Sequence, residues 1–193
     1  MSRSLVALVI IGAAAVAVPA WCATTQPAPL WGYIGLSVPT PAPDAVSAST
    51  HAVVTLRQAA DDAQRGTAGT VVEIGFSKQR RGWAYVATLD TPAGLDRVLI
   101  NPATGAISRA DRPDVPRRAL DVAALRDLAA MRSAIPLTQA AAAAAALSGG
   151  RPIAAGLEQL GGIPQYCVQV VNGTKVSAVI VNPDTGRAAR PSD

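Results

Sequence analysis

Hydrophobic and polar positions along this chain change period twice, and in the same order each time. A short helical stretch is followed by two runs of alternation and then a third apolar strand. In the first set Val72, Ile74 and Phe76 alternate, then Trp83, Tyr85, Ala87 and Leu89, and a third strand covers Leu95–Ile100. In the second set Ile153, Ala155 and Leu157 alternate, then Pro164, Tyr166, Val168 and Val170, and the third strand covers Val176–Val181. Period-two alternation marks strands with one buried face. Ahead of the first set, Thr55-Leu56-Arg57-Gln58 has the form of a capping box. Ahead of the second, Pro136 stands where Thr55 stood, a fixed φ at a position that needs no donor partner. The helices are predicted to run to Gln64 or Arg65 and to Leu147, ending at Gly66-Thr67-Ala68-Gly69 and Ser148-Gly149-Gly150. The run Ala140–Ala146 is strongly helix-forming and small enough to lie close on a sheet.

These elements repeat at an offset of 81 residues, from Leu56 to Leu137, with no gap. Leu56-Arg57-Gln58-Ala59-Ala60 returns as Leu137-Thr138-Gln139-Ala140-Ala141, and Tyr85 returns as Tyr166. Asn101-Pro102-Ala103-Thr104-Gly105 returns as Asn182-Pro183-Asp184-Thr185-Gly186. In that motif proline keeps the Asn extended and the glycine takes a conformation other residues resist, so a turn closing the sheet accounts for it. Asn172-Gly173 predicts a tight hairpin between the second and third strands of the second copy. The fold class is therefore α+β: two similar small modules, each a helix packed on a three-stranded antiparallel meander, joined by a linker helix. Arg117–Arg132 reads as that helix, with Leu120, Ala124, Leu128 and Met131 on one stripe. A module of about 60 residues is marginal alone, so the stripe is expected to pack on one or both modules, with dimerisation through it as the competing reading.

The boundaries are then a signal peptide over 1–20, a Pro-rich linker with an apolar island over 21–50, module one over 51–110, the linker helix over 111–133 and module two over 134–193. Arg3, the apolar run from Leu5 to Val18 and the small residues Val18-Pro19-Ala20 make the first segment a secretory signal. Cleavage after Ala20 or after Cys22 is open, and an uncleaved anchor is the alternative, although the run is short for a spanning helix. A lipid anchor on Cys22 is disfavoured by the bulky Trp21 before it. The expected location is periplasmic or secreted, in a bacterial envelope, with no stable membrane insertion after cleavage. In the linker, Val38-Pro39-Thr40-Pro41-Ala42-Pro43 predicts extended backbone. The island Leu30, Trp31, Tyr33, Ile34 and Leu36 is a candidate partner-docking segment, or else packs on its own module.

Composition adds restrictions. Half of the 193 residues are hydrophobic and 16% are charged, which is globular rather than disordered. Seventeen basic against thirteen acidic residues give +4, and residues 1–20 contribute only Arg3. Nucleic-acid binding is not expected, because the only basic cluster, Lys78-Gln79-Arg80-Arg81, reads as a solvated turn and is replaced by Gln159-Leu160-Gly161-Gly162 in the second copy. The two cysteines of an exported chain can persist as a disulfide. Alternation puts Cys167 with Gln165 and Gln169, on the face away from Tyr166, Val168 and Val170, and a Cys22–Cys167 bridge is the candidate. It could contribute roughly 4–5 kcal/mol by closing a long loop. Its alternative is a lone thiol, with Cys22 removed beside the signal.

Catalytic chemistry is thin. His51 is the single histidine, so no histidine metal cluster can form and a Ser-His-Asp triad would have to recruit that one residue at the edge of the linker; there is no CxxC, P-loop or dinucleotide-binding glycine pattern. Asp61-Asp62 becomes Ala142-Ala143 in the second copy, as a solvated helical face would. No catalytic residue, metal ligand or cofactor is expected.

A leading Leu-x-Gln-Ala-Ala helix, a meander with a central Tyr strand and a closing Asn-Pro-x-Thr-Gly together resemble the PepSY domain. The resemblance covers Val54–Arg109 and Ile135–Arg190. Two positions depart from that pattern: the acidic residue that usually opens the last turn is Asn101 or Asn182, and the Glu that usually follows is Ala106 or Arg187. The resemblance implies a non-enzymatic, exported binding module that restrains or modulates a peptidase or cell-wall hydrolase in trans. A sheet edge or the Leu30–Leu36 segment would serve as an added strand in the partner. Two other classes stay open: an envelope structural or assembly protein that oligomerises through tandem modules, and a small-ligand binder with its pocket between helix and sheet.

Overall fold

The computed structural model describes residues 43–110, 115–120, 122–160 and 163–191. They form an α+β fold of four helices and nine strands in one antiparallel sheet. Helix α1 spans Pro43–Thr50, α2 Leu56–Thr67, α3 Val122–Ser133 and α4 Leu137–Ser148. The strands are β1 Thr70–Gln79, β2 Gly82–Thr91, β3 Gly94–Ile100, β4 Ile107–Arg109, β5 Val115–Pro116, β6 Arg151–Leu160, β7 Ile163–Asn172, β8 Lys175–Val181 and β9 Ala188–Ala189. Their order in the sheet is β4-β3-β2-β1-β6-β7-β8-β9, with β5 also pairing β3.

Local chemistry explains why the main elements start and stop where they do. Thr55 accepts from the Gln58 backbone N–H while Gln58 reaches back to the Thr55 N–H, the reciprocal cap expected at α2. Helix α4 starts after Pro136 without a side-chain cap and ends on Gly149 at φ 69°. Helix α2 ends instead on Ala68 at φ 53°, an L-residue in the left-handed region. Each helix buries its small face, Leu56, Ala59, Ala60 and Ala63 in α2 and Leu137, Ala140, Ala141 and Ala144 in α4. Both helices pack on the same face of the sheet and touch one another. Ile74, Phe76, Tyr85, Ala87, Leu89, Ile153, Ala155, Leu157, Tyr166, Val168 and Val170 are buried beneath them in a single core.

The junction between β1 and β6 carries no local sequence signal. Glu73 lies opposite Gly156, Ile74 opposite Ala155 and Gly75 opposite Ala154. Ile74 and Ala155 are themselves 81 residues apart, as are Glu73 and Ala154, and Gly75 and Gly156. The pairing therefore reads the same from either strand, about an axis through Ile74 and Ala155. A bulge interrupts β1 between Val71 and Glu73 and β6 between Pro152 and Ala154, again at the same offset.

Three sequence expectations are corrected. The stretch assigned to an extended Pro-rich linker ends in helix α1, which begins on Pro43 with Asp44 in its first turn and buries Ala45, Val46 and Ser49. The single helix over Arg117–Arg132 is a 3-10 turn over Arg117–Ala119, an extended Leu120 (ψ 135°), and then α3. Its stripe of Leu120, Ala124, Leu128 and Met131 is buried within the chain, in line with the expected packing and against the competing dimerisation. Finally, Asn172 stays in β7, paired with Lys175, so the hairpin turn is Gly173-Thr174, with Gly173 at φ 61°.

Candidate functional site

Alternation places Glu73, Thr88, Asp90, Arg97, Glu158, Cys167 and Gln169 on the sheet face turned away from α2 and α4. All are buried. Glu73, Thr88 and Arg97 stand side by side across β1, β2 and β3, and the Thr88 hydroxyl donates to Glu73 Oε2 at 3.4 Å. Burial pushes the Glu73 carboxyl well above its usual range, against the opposing pull of Arg97 and the Thr88 bond. At the positions 81 further on, the row is Ala154, Gln169 and Ala178, so the ionic part belongs to one half only. Glu158, beside Gln165, is pushed up to about 7 by burial. Cys167 does share its face with Gln165 and Gln169, yet that face is covered: Cys167 is 1% exposed. The other cysteine of the expected bridge, Cys22, and the docking segment Leu30, Trp31, Tyr33, Ile34 and Leu36 lie outside the described residues.

Asp90 joins three elements on this face. Its carboxylate accepts from Arg117 in the 3-10 turn and from Arg132 of α3, through Nε at 3.1 Å and Nη2 at 2.8 Å. Arg117 also donates to the Thr91 carbonyl at 2.7 Å. The matching residue in the second half is Val171, so α3 is held to the first half by charge. Asp90→Ala is expected to destabilise the fold by about 1–3 kcal/mol in urea unfolding, with Asp90→Asn in between. The effect stays below that of a fully buried pair because both guanidiniums can reach water once freed.

On the helix face, one bonding arrangement occurs twice. Tyr85 Oη donates to the Val54 carbonyl at 2.9 Å and Tyr166 Oη to the Ile135 carbonyl at 2.8 Å. The Val54 and Ile135 N–H groups donate to the carbonyls of Pro102 and Pro183. Asn101 and Asn182 cap their own turns through Oδ1, and Gly105 and Gly186 sit at φ 74° and 72°. The Asn-Pro-x-Thr-Gly motif thus clamps the chain leading into each helix onto its tyrosine strand. Burial raises both tyrosines, Tyr166 to about 12, so they remain donors.

The two outer edges of the sheet differ. Strand β3 is covered along most of its length, by β5 at Gly94 and Leu95 and by β4 from Val98 to Ile100. Strand β8 is covered by β9 only at Ile180 and Val181. Among the described residues nothing pairs with the outer side of Lys175–Val179. This difference was not readable in the sequence, since the third strands look alike and the covering pieces are two or three residues long.

Other candidates fall away from any site. His51 is exposed, with Nδ1 2.9 Å from the Ser47 carbonyl. Lys78, Arg80 and Arg81 are exposed around the β1–β2 turn, and Asp62 pairs with Arg65 along α2. Among the described residues no group of three His, Cys, Asp or Glu is arranged to hold a metal, and no helix is long and apolar enough to cross a membrane.

No protein-family model matches the chain, and no curated protein does. Among solved structures it is similar to the crystal structure of a "putative lipoprotein" from Clostridium difficile 630, at 13% identity and a TM-score of 0.42. That similarity covers 71% of this chain and 91% of the other. At that distance it bears on neither fold nor activity.

Proposed function

We propose that the chain is a fused pair of PepSY-like modules, each a helix on a three-stranded meander, acting as an exported, non-enzymatic protein. It restrains or modulates a peptidase or cell-wall hydrolase in trans. The observation that supports this reading most is the asymmetry of the sheet edges. Among the described residues, the five-residue stretch Lys175–Val179 has no strand on its outer side and is a template for strand addition, while the opposite edge is covered along most of its length. The Leu30–Leu36 segment, which lies outside the described residues, is a second candidate for docking on the same partner. A Cys22–Cys167 bridge would tie the start of the mature chain to β7. The location in this reading is periplasmic or secreted.

The test adds the purified mature protein to envelope extract, recovers what binds, and measures peptidase and cell-wall hydrolase activity. A recovered hydrolase whose activity falls is the expected result. Successive N–H groups along a strand point to opposite neighbours, so proline at Ser177 and proline at Ala178 act differently. One breaks the ladder with β7 and lowers stability. The other removes an outward donor, leaves stability nearly unaltered, and is expected to abolish inhibition. Self-association without any hydrolase would replace this reading with an assembly role.

A further inference from the structure

Between the first turn of α2 and the side of α4 lies a cleft of about 220 Å³, whose walls include Leu56, Ala141, Ala145 and Pro152 and whose cations are Arg57 and Arg151. Its origin is visible by comparing the two halves. In the first, Gln64 of α2 folds back so that its Oε1 accepts from the Val71 N–H at 3.2 Å. The residues 81 further on are Ala145 and Pro152. Proline has no N–H to satisfy and alanine has no acceptor to offer, so the bridge and its bulk are both missing. The space that opens is apolar on its walls.

The charge beside it lacks compensation. Arg151 donates through Nη2 to the Ala52 and Val54 carbonyls, both at 2.9 Å, and to Tyr85 Oη at 3.4 Å. All three acceptors are neutral. Its Nε is buried with no acceptor, and no carboxylate pairs with it among the described residues. A half-buried guanidinium in that state favours an anion, which can meet it through Nη1, the nitrogen that bonds none of these acceptors. Arg57 is exposed nearby and adds attraction at the rim.

We propose that this cleft binds a small organic carboxylate with a compact apolar body, its carboxylate held by Arg151 and Arg57 and its body against Ala141, Ala145 and Leu56. The volume is below the roughly 300–1,000 Å³ of drug-sized sites, which restricts the ligand to a short branched acid or to the last residue of a peptide. The site lies on the helix side, away from the β8 edge, and does not depend on the partner reading above.

Isovalerate, N-acetyl-valine and 3-methyl-1-butanol, titrated into the ¹⁵N-labelled mature protein, distinguish the possibilities. Isovalerate or N-acetyl-valine is expected to shift the amides of Ala141, Ala145 and Arg151 saturably. The alcohol, which has the body of isovalerate without its charge, is expected to bind at least ~10-fold more weakly, as does either acid to Arg151→Gln. The double variant Ala145→Gln/Pro152→Val rebuilds the first half's bridge, keeps Arg151 and is expected to abolish the shifts. Tighter binding of N-acetyl-valine points to a peptide C-terminus, and tighter binding of isovalerate to a free acid. The proposal is overturned if neither acid saturates below roughly 50 mM, if the alcohol binds as well, or if the double variant binds as before.

Discussion

Replacing Gly94 by alanine is expected to cost about 2–5 kcal/mol, more than any other single methyl added to a glycine at a strand end. Gly94 sits at φ +146°, in a region closed to L-residues. A Cβ there would stand 2.1 Å from the Val115 carbonyl oxygen and 2.6 Å from the Arg117 nitrogen. Those are the atoms that bring β5 and the 3-10 turn against β3, and Arg117 in turn reaches Asp90. Gly82→Ala is the control, since Gly82 has φ +121° but nothing within 4 Å of its Cβ position. The difference between the two variants in urea unfolding isolates the loss of β5 from backbone strain. Gly94→Ala is further expected to expose the β3 edge, seen as faster amide exchange at residues 94–97 and as concentration-dependent self-association. Equal destabilisation by both variants would mean that β5 contributes nothing to closing that edge.

The second large effect is on the pH dependence of stability. Burial raises Glu158 from its ordinary value to about 7, and raises Glu73 in the same direction. An acid whose pKa is higher in the folded state binds more protons there than in the unfolded chain. The contribution of these two carboxyls to stability is therefore fullest below about pH 4.5 and is lost as pH climbs toward 7, because the folded state must then hold an ionised carboxylate in a poor medium. For Glu158 the difference amounts to about 3 kcal/mol as an upper figure. Glu158→Gln is expected to match the parent near pH 4.5 and to exceed it by about 1–3 kcal/mol at pH 8, read from urea midpoints at both pH values. A parent whose stability rises between pH 5 and 7, with the variant rising alike, would show that Glu158 is ionised without penalty. Glu73→Gln should gain less, because it also gives up the attraction of Arg97.

The parts that were legible in the sequence are those specified by neighbouring residues. The Thr55–Gln58 cap, the tyrosine strands and the Asn-Pro-x-Thr-Gly turns each need only a few adjacent side chains, whereas the bonds from the tyrosine hydroxyls to Val54 and Ile135 were not read. Features set by distant pairing were not. Nothing around Ile74 announces that it will lie opposite Ala155. Gln165, Cys167 and Gln169 of β7 could be assigned only to the face away from Tyr166, because alternation distinguishes two faces but not whether the second is covered, and Gln169 is 2% exposed. Pro43 was grouped with the prolines before it, although the seven residues after it contain none and turn into helix α1. The cleft was invisible for a related reason: Ala145 and Pro152 look unremarkable until they are set against Gln64 and Val71.

The β1–β6 junction has a further consequence. A contact that reads identically from both sides is the kind two separate copies of one chain make with each other. Here both sides belong to one polypeptide, so the contact forms at an effective concentration fixed by the connecting residues and cannot be lost on dilution. Covalent linkage also releases the two halves from having to remain alike. The two halves do differ: Asp90 and its two arginines have no counterpart in the second, and the hollow beside Ala141 and Ala145 has none in the first. The chain behaves as a dimer that has taken its partner inside, with an asymmetry no pair of identical subunits could hold.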